Sequence, residues 1–436
     1  MGYHFPCEEL DELFGYIDEG CTLLIEGPPG AGKTIFALSL AYRNARLKNS
    51  RILYMSLNED STKLLLLMRS LGMDVEYLDR NGVLKIIRVP MAGVPELAEY
   101  VSKTISENFE RYDIVVIDSV TPLMKLLKDY PSKRAWLQNV LYELASRSKG
   151  ILVVVADILE ENDPDIRLLE YVADIVIQLD YRCRTVLERA MIFKKFRGHE
   201  IKLATIPFEI SSSGIIVLNH VASTKIRRDR KPLVVDNDRL RQVLPPVIEP
   251  GTAVLIVGRE ISFSDTNFYR WLHDYATKLL EEGYRIAFLT YNPRYVRYLR
   301  RVAEERSAAK NLFVKYLDPL AISPNIVIRE EIELCTRYGI DLLFILDIEK
   351  LFHAHRHAET YLYRYESYAI NALRKIGVTA IRYINLDRRE PIPAVYMDWC
   401  DIVLEIAKME NGEIALVPLV TYGVRSPSTV LDREIL

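Results

Sequence analysis

The chain has 436 residues, 49% of them apolar, which is too long for one ordinary core and points to two or three domains. A formal charge of -3 leaves no global field to attract nucleic acid or acidic lipid, and no apolar run approaches a membrane span in length. The five cysteines are scattered without a C-x-x-C pair, and residues 5–12 are acidic where a signal peptide would be basic and apolar, so a reducing, cytoplasmic setting is expected.

In chain order, the first informative element is the stretch 21–26, a short apolar run of strand type. It leads into Gly27-Pro28-Pro29-Gly30-Ala31-Gly32-Lys33-Thr34, a complete G-x-x-x-x-G-K-[ST] phosphate-binding loop. Gly27, Gly30 and Gly32 permit backbone conformations and close approaches that a β-carbon would block. Successive N–H groups can then face phosphate oxygens at the start of the next helix. That places Lys33 at the β- and γ-phosphates of ATP and the Thr34 hydroxyl on Mg²⁺. Residues 34–45 continue with helical periodicity. Further on, residues 113–118 carry four apolar residues that end in Asp118, an acid suited to the Mg²⁺ shell at the end of a buried strand.

After Asp118 the α/β alternation continues. Residues 136–146 read as a helix, 151–155 and 173–179 as buried strands, and 190–196 as an edge strand. Between them, residues 157–165 carry five acids and no base, the wrong sign for gripping a polyanion, which argues against nucleic acid as a partner of this half. The basic, proline-terminated stretch 225–232, followed by Asp236-Asn237-Asp238, reads as a solvated linker rather than a nucleic-acid patch. Domains are therefore expected over 1–235 and 236–436.

The second half repeats the first. Strand-like runs at 253–258, 285–291, 340–347 and 400–404 match those at 22–27, 51–57, 111–118 and 173–177, at offsets of 227 to 234 residues. Four matches in order at a nearly constant offset indicate a tandem duplication. In the second copy the loop position reads Gly258-Arg259-Glu260-Ile261-Ser262-Phe263-Ser264-Asp265. Phe263 cannot make the glycine turn, Ser264 replaces the lysine, and Glu260 and Asp265 repel phosphate, so this copy is not expected to bind ATP in the usual way.

With one phosphate loop, an acidic strand end and a tandem repeat, the chain resembles the KaiC-like branch of the RecA/RadA ATPase superfamily. The lead-in Leu10-Asp11-Glu12-Leu13-Phe14-Gly15 is similar to that family's L-D-x-[LM]-x-G signature. Residues 193–199, with Phe208-Glu209-Ile210 and Gly214-Ile215, are similar to its K-x-R-G-x-H … F-x-I … G-I ending. The resemblance implies an α/β fold of two RecA-like P-loop NTPase domains, each a mainly parallel sheet flanked by helices, the second degenerate. It also implies that Lys195 and Arg197 act on a neighbouring subunit's γ-phosphate, which requires a homo-oligomer, ring or filament. Where the family carries paired acids after the second strand, this chain has Asn58 and then Glu59. Asparagine orients a water but cannot take its proton, so Glu59 becomes the candidate base, with Asp60 beside it.

Two further clusters stand apart from this site. His353-Ala354-His355-Arg356-His357 packs three of the seven histidines into five residues, yet only His353 and His357 share a helical face, which is a poor metal set. The aromatic run 361–368 reads as helix packing against a sheet in preference to a base-stacking platform. Taken together, the sequence predicts an ATP-binding protein with slow Mg²⁺-dependent hydrolysis in its first domain, acting as an assembly or signalling switch. The second domain would offer a surface for a protein partner. The alternatives are a non-hydrolysing ATP-responsive scaffold and an accessory factor in DNA recombination or repair.

Overall fold

In the computed structural model the apolar runs of the first half are strands: β1 (Thr22–Gly27), β2 (Ile52–Ser56), β3 (Leu84–Arg88), β4 (Ile114–Asp118), β5 (Ile151–Asp157) and β6 (Ile175–Cys183). They form one parallel array, extended antiparallel by β7 (Leu187–Phe196), β8 (Thr205–Ser211) and β9 (Gly214–Val217). The order across the sheet is β3-β2-β4-β5-β1-β6-β7-β8-β9. The structure describes residues 2–89, 94–108, 111–127, 129–138, 149–160, 162–183, 187–201, 204–211, 214–217, 230–235, 241, 244–259, 275–297, 299, 309–321, 324–356, 359–408 and 414–421.

The parallel strands are apolar throughout because both faces are covered. Side chains alternate between faces, so Leu23 and Ile25 of β1 meet Phe36 and Leu40 of the helix Lys33–Lys48 on one side. Leu24 faces the other way, in a core shared with Val115, Val154, Leu168 and Trp136. A sheet anchored on two faces holds its strand ends at fixed positions, which suits a site built from those ends.

The second half contains a short ribbon, β10 (Leu233–Val234) with β11 (Val247–Ile248), and a second sheet. Its strands are β12 (Ala253–Arg259), β13 (Ile286–Thr290), β14 (Leu312–Tyr316), β15 (Leu342–Leu346), β16 (Thr379–Leu386), β17 (Ile402–Lys408) and β18 (Ile414–Thr421). Their order is β14-β13-β15-β16-β12-β17-β18, all parallel except the β17–β18 pair. Strand for strand, this is the order of β3 to β7 in the first sheet. The chain divides into two units, Met1–Asn219 and His220–Leu436. Residues 230–235 group with the second unit, where Leu233 and Val235 enter the core beside Ile248.

Register identifies the counterparts. Gly27 pairs with Asp157 and Gly258 with Asn385, so Asn385 stands where the first unit has Asp157. Leu24 pairs with Val154 and Leu255 with Arg382, so a buried arginine replaces a valine. At the end of β12, a β-carbon on Gly258 would meet the Tyr383 hydroxyl at 2.3 Å. The next residue, Arg259, is tied to Glu405 at 3.0 Å and to the Asp387 carbonyl at 2.9 Å. The strand end that opens into a phosphate loop in the first unit is thus crowded by the protein's own groups in the second. Residues 260–265 of the altered loop lie outside the described residues, as do 225–229, 236–238, 139–146 and His357.

Candidate functional site

The loop after β1 takes its shape from three glycines, two of which hold close approaches in backbone conformations that L residues rarely adopt. Gly27 has φ +151°, and a β-carbon there would stand 2.1 Å from the Leu179 carbonyl oxygen on neighbouring β6. Gly32 has φ +103° and would drive a β-carbon to 2.7 Å from Ile210 Cδ1. Both conformations lie where L side chains are strained. Gly32 then caps the helix Lys33–Lys48, and its carbonyl accepts the Phe36 N–H at 2.9 Å. The cradle left by these glycines fits phosphate oxygens at a helix N-terminus.

Lys33 is buried, and its ammonium donates to the carbonyls of Gly27 and Pro28 at 2.8 Å each. It also pairs with Asp157 Oδ1 at 3.0 Å. The Thr34 hydroxyl donates to Asp118 Oδ2 at 2.8 Å, and the buried Tyr54 hydroxyl donates to the same oxygen at 2.5 Å. Parallel pairing of β4 with β5 brings Asp118 and Asp157 to the same edge of the sheet. Burial pushes the Asp118 carboxyl above the usual carboxylate range; the Tyr54 and Thr34 hydroxyls pull it back, and the Asp157 charge raises it further. Such a carboxyl, beside a threonine hydroxyl, matches the donor set expected of a Mg²⁺ ion, whose charge would favour the ionised form.

Asn58 and Glu59 follow β2 and line the same cleft, of about 430 Å³, with Lys33, Thr34, Asp118 and Asp157. The Glu59 N–H is fixed on Ser56 Oγ at 3.0 Å. Asn58 Nδ2 donates to Ser119 Oγ at 3.1 Å, and that hydroxyl donates to Asp157 Oδ2 at 2.9 Å. A polar chain therefore runs from Asn58 through Ser119 and Asp157 to Lys33. Arg189 of β7 joins the cleft wall, paired with Glu209 at 3.4 Å, and its buried Nε has no hydrogen-bond partner. Sequence reasoning missed Tyr54 and Arg189 and took Asp157 only as part of an acidic run. Asp157 did carry a signal, since like Asp118 it closes an apolar run.

Lys195 and Arg197 lie elsewhere. Lys195 pairs with Val176, which is level with Leu24, while Gln178 is level with Glu26 and nearer the loop. The end of β7 thus sits at the opposite end of the sheet from Gly27, roughly 10–13 Å away at about 3.3 Å per residue. Lys195 Nζ is held by the carbonyls of Glu170 and Tyr171 at 3.0 and 3.1 Å, and Arg197 pairs with Asp174 at 3.0 Å. Neither side chain serves the loop of its own chain in this arrangement. The acidic run after β5 is used locally: Asp163 Oδ1 accepts the Asp165 N–H at 2.9 Å, and Lys133 binds Asp165 at 2.7 Å. Among the described residues, no helix is long and apolar enough to cross a membrane.

Comparison with known proteins adds the following. A family model described as "ATPase: KaiC" matches residues 6–222. A UPF0273 protein of Thermotoga maritima is 29% identical over 229 residues, covering 48% of this chain and 92% of the relative. A UPF0273 protein of Aeropyrum pernix is 29% identical over 227 residues, covering 48% of this chain and 89% of the relative. The circadian clock protein KaiC2 of Synechocystis is 26% identical over 228 residues, 48% of this chain and 39% of that protein.

Proposed function

Because this chain is a KaiC-like protein of the RecA superfamily, whose ATPase domain spans residues 6–222, we propose that it is a slow Mg²⁺-dependent ATPase that works as a nucleotide-driven assembly switch. The single observation that carries this is the convergence of Lys33, Thr34 and Asp118 with Asn58 and Glu59 in one cleft. The loop N–H groups and Lys33 hold the β- and γ-phosphates of ATP. Thr34 and Asp118 hold Mg²⁺, which when bound neutralises phosphate charge. Glu59, exposed after β2 and lining the cleft, orients the attacking water and takes its proton. Turnover is slow because Asn58, next to it, offers only an amide, and that amide is engaged by Ser119.

Lys195 and Arg197 complete the site of an adjacent copy, so the working form is a homo-oligomer. In support of this, Lys195 is level with Leu24 and Arg197 with the start of β1, both away from their own loop. The second unit, with the same strand order and a crowded strand end at Gly258, acts as a scaffold and partner-binding surface derived by duplication. The protein works in the cytoplasm, consistent with its free thiols. A non-hydrolysing scaffold is the second possibility, and the engaged amide of Asn58 is what favours it.

Steady-state phosphate release with added Mg²⁺ tests these assignments. Lys33→Ala should weaken Mg-ATP binding about a hundredfold, the loss of about 2.7 kcal/mol from charge-assisted contacts to phosphate. Glu59→Gln should slow turnover about tenfold or more, within the usual range for a general base. Asn58→Glu should raise turnover, by restoring an acid at that position. An unchanged rate in Glu59→Gln would remove Glu59 from the mechanism. If wild type shows no turnover but assembles only with ATP, as followed by light scattering, the scaffold reading takes over.

A further inference from the structure

The histidines that the nucleotide site leaves unused, His353 and His355, line a cavity of about 420 Å³ within the second unit. It lies at the C-terminal end of β16, where Ile384 and Leu386 form one wall, a usual place for ligands in parallel sheets. Glu349 opens the helix Glu349–Ala354, and His355 follows that helix, so one short element supplies both inner polar groups. A Glu349 carboxylate oxygen accepts the Asn385 N–H at 3.0 Å, which fixes the group against β16. Burial, reinforced by Asp347, pushes the Glu349 carboxyl up to about 7, with the Asn385 N–H and Lys350 pulling it back.

His355 is 8% exposed, and neither of its ring nitrogens has a hydrogen-bond partner. A buried polar atom without a partner carries an uncompensated desolvation cost, and a donor seated against the ring nitrogen that bears no proton would relieve it there. The remaining charged groups sort by depth. Glu390 stands at the rim 4.0 Å from His353, and the fixed cation among the described lining residues, Arg356, is exposed. The inner groups are therefore acceptors, or can be, while the walls of Phe352, Leu362 and Ile392 are hydrocarbon. An anion would meet two carboxylates. A metal ion lacks ligands, since among the described residues no three His, Cys, Asp or Glu side chains are gathered to hold one.

We propose that this cavity binds a small organic ammonium ion, a primary amine on a short hydrocarbon chain, with the ammonium against Glu349 and His355 and the chain against the apolar walls. The pocket size is within the range of small-molecule sites. Nothing in this assignment depends on the first unit's chemistry.

Calorimetric titration of the full chain with hexylamine, hexanoate and hexanol tests it. Hexylamine should bind saturably, and the other two should not bind or should bind at least about tenfold more weakly. The His355 ring proton signals should shift on adding hexylamine. Glu349→Gln should weaken hexylamine at least about tenfold, and His355→Phe, which keeps a ring without nitrogens, should also weaken it. Hexanoate or hexanol binding as tightly as hexylamine, no saturable hexylamine binding, or wild-type affinity in Glu349→Gln would each overturn the assignment. If a variant fails to fold, as judged by its melting curve, the wild-type comparison of the three probes and the His355 shift decide the matter alone.

Discussion

A chain carrying Lys195→Ala and Arg197→Ala should hydrolyse ATP about a thousandfold more slowly than wild type, the low end of what a trans-acting arginine contributes to phosphoryl transfer. It should still bind Mg-ATP, because every loop contact is intact. Mixing it with a Lys33→Ala chain, itself inactive, should restore part of the rate. In the mixed assembly about a quarter of the interfaces pair a competent loop with competent fingers. The reasoning is geometric. Lys195 is level with Leu24 of β1 and Arg197 with its start at Thr22, so neither is placed for its own Gly27–Thr34 loop. In the resting arrangement both are parked on local acceptors, Lys195 on two carbonyls and Arg197 on Asp174. Burial and the neighbouring Arg197 charge lower the affinity of Lys195 for its proton, although Asp174 and Glu170 oppose this. An anionic phosphate from a neighbour would be a better partner for both. Absence of any rescue on mixing, with both variants folded and assembled, would show that the fingers do not act across a subunit boundary.

The largest stability effect is expected far from that site. Arg382→Met should destabilise the second unit by about 3–5 kcal/mol, because it strands two buried carboxylates. Arg382 is fully buried between Glu331, at 3.2 Å, and Glu366, at 3.3 Å, in the layer where the first unit is apolar. Burial holds the Glu331 carboxyl above its ordinary range even with the arginine pulling it down. The triple replacement Arg382→Met, Glu331→Leu, Glu366→Leu should recover most of the loss, since an apolar set of similar volume needs no desolvated charge. Urea unfolding of the full chain, followed by tryptophan fluorescence, distinguishes the two variants. Equal midpoints for the single and triple variants would mean that packing volume, not stranded charge, sets the cost.

The division between what the sequence reveals and what it hides follows the range of the interactions. Lys33, Thr34 and the glycines announce themselves because a phosphate cradle is built from consecutive residues. Asp118 is visible because a buried parallel strand is a continuous apolar run with its acid at the end. Strand order is not written in any such local pattern. Asp157 reaches Lys33 only because β5 lies beside β1, and Tyr54 reaches Asp118 only because β2 lies beside β4. Arg189 enters the cleft through the antiparallel pairing of β7 with β6, which spacing alone cannot place. The recurrence of strand runs was legible from the offsets, but that Arg382 stands where the first sheet has Val154 needed the register of both sheets. Its partners, Glu331 and Glu366, come from two helices separated in sequence by β15.

The ion pair between Lys33 and Asp157 bears on how readily the loop is occupied. A phosphate that takes Lys33 must displace a carboxylate held 3.0 Å away, so nucleotide arrival and departure are exchanges between two anions. The Gly27 and Pro28 carbonyls, each 2.8 Å from the ammonium, keep it solvated by the loop while one anion replaces the other. By stabilising the empty loop, the resident carboxylate would lower the equilibrium affinity for the phosphate that competes with it. Asp157 would then set the nucleotide concentration at which the loop fills.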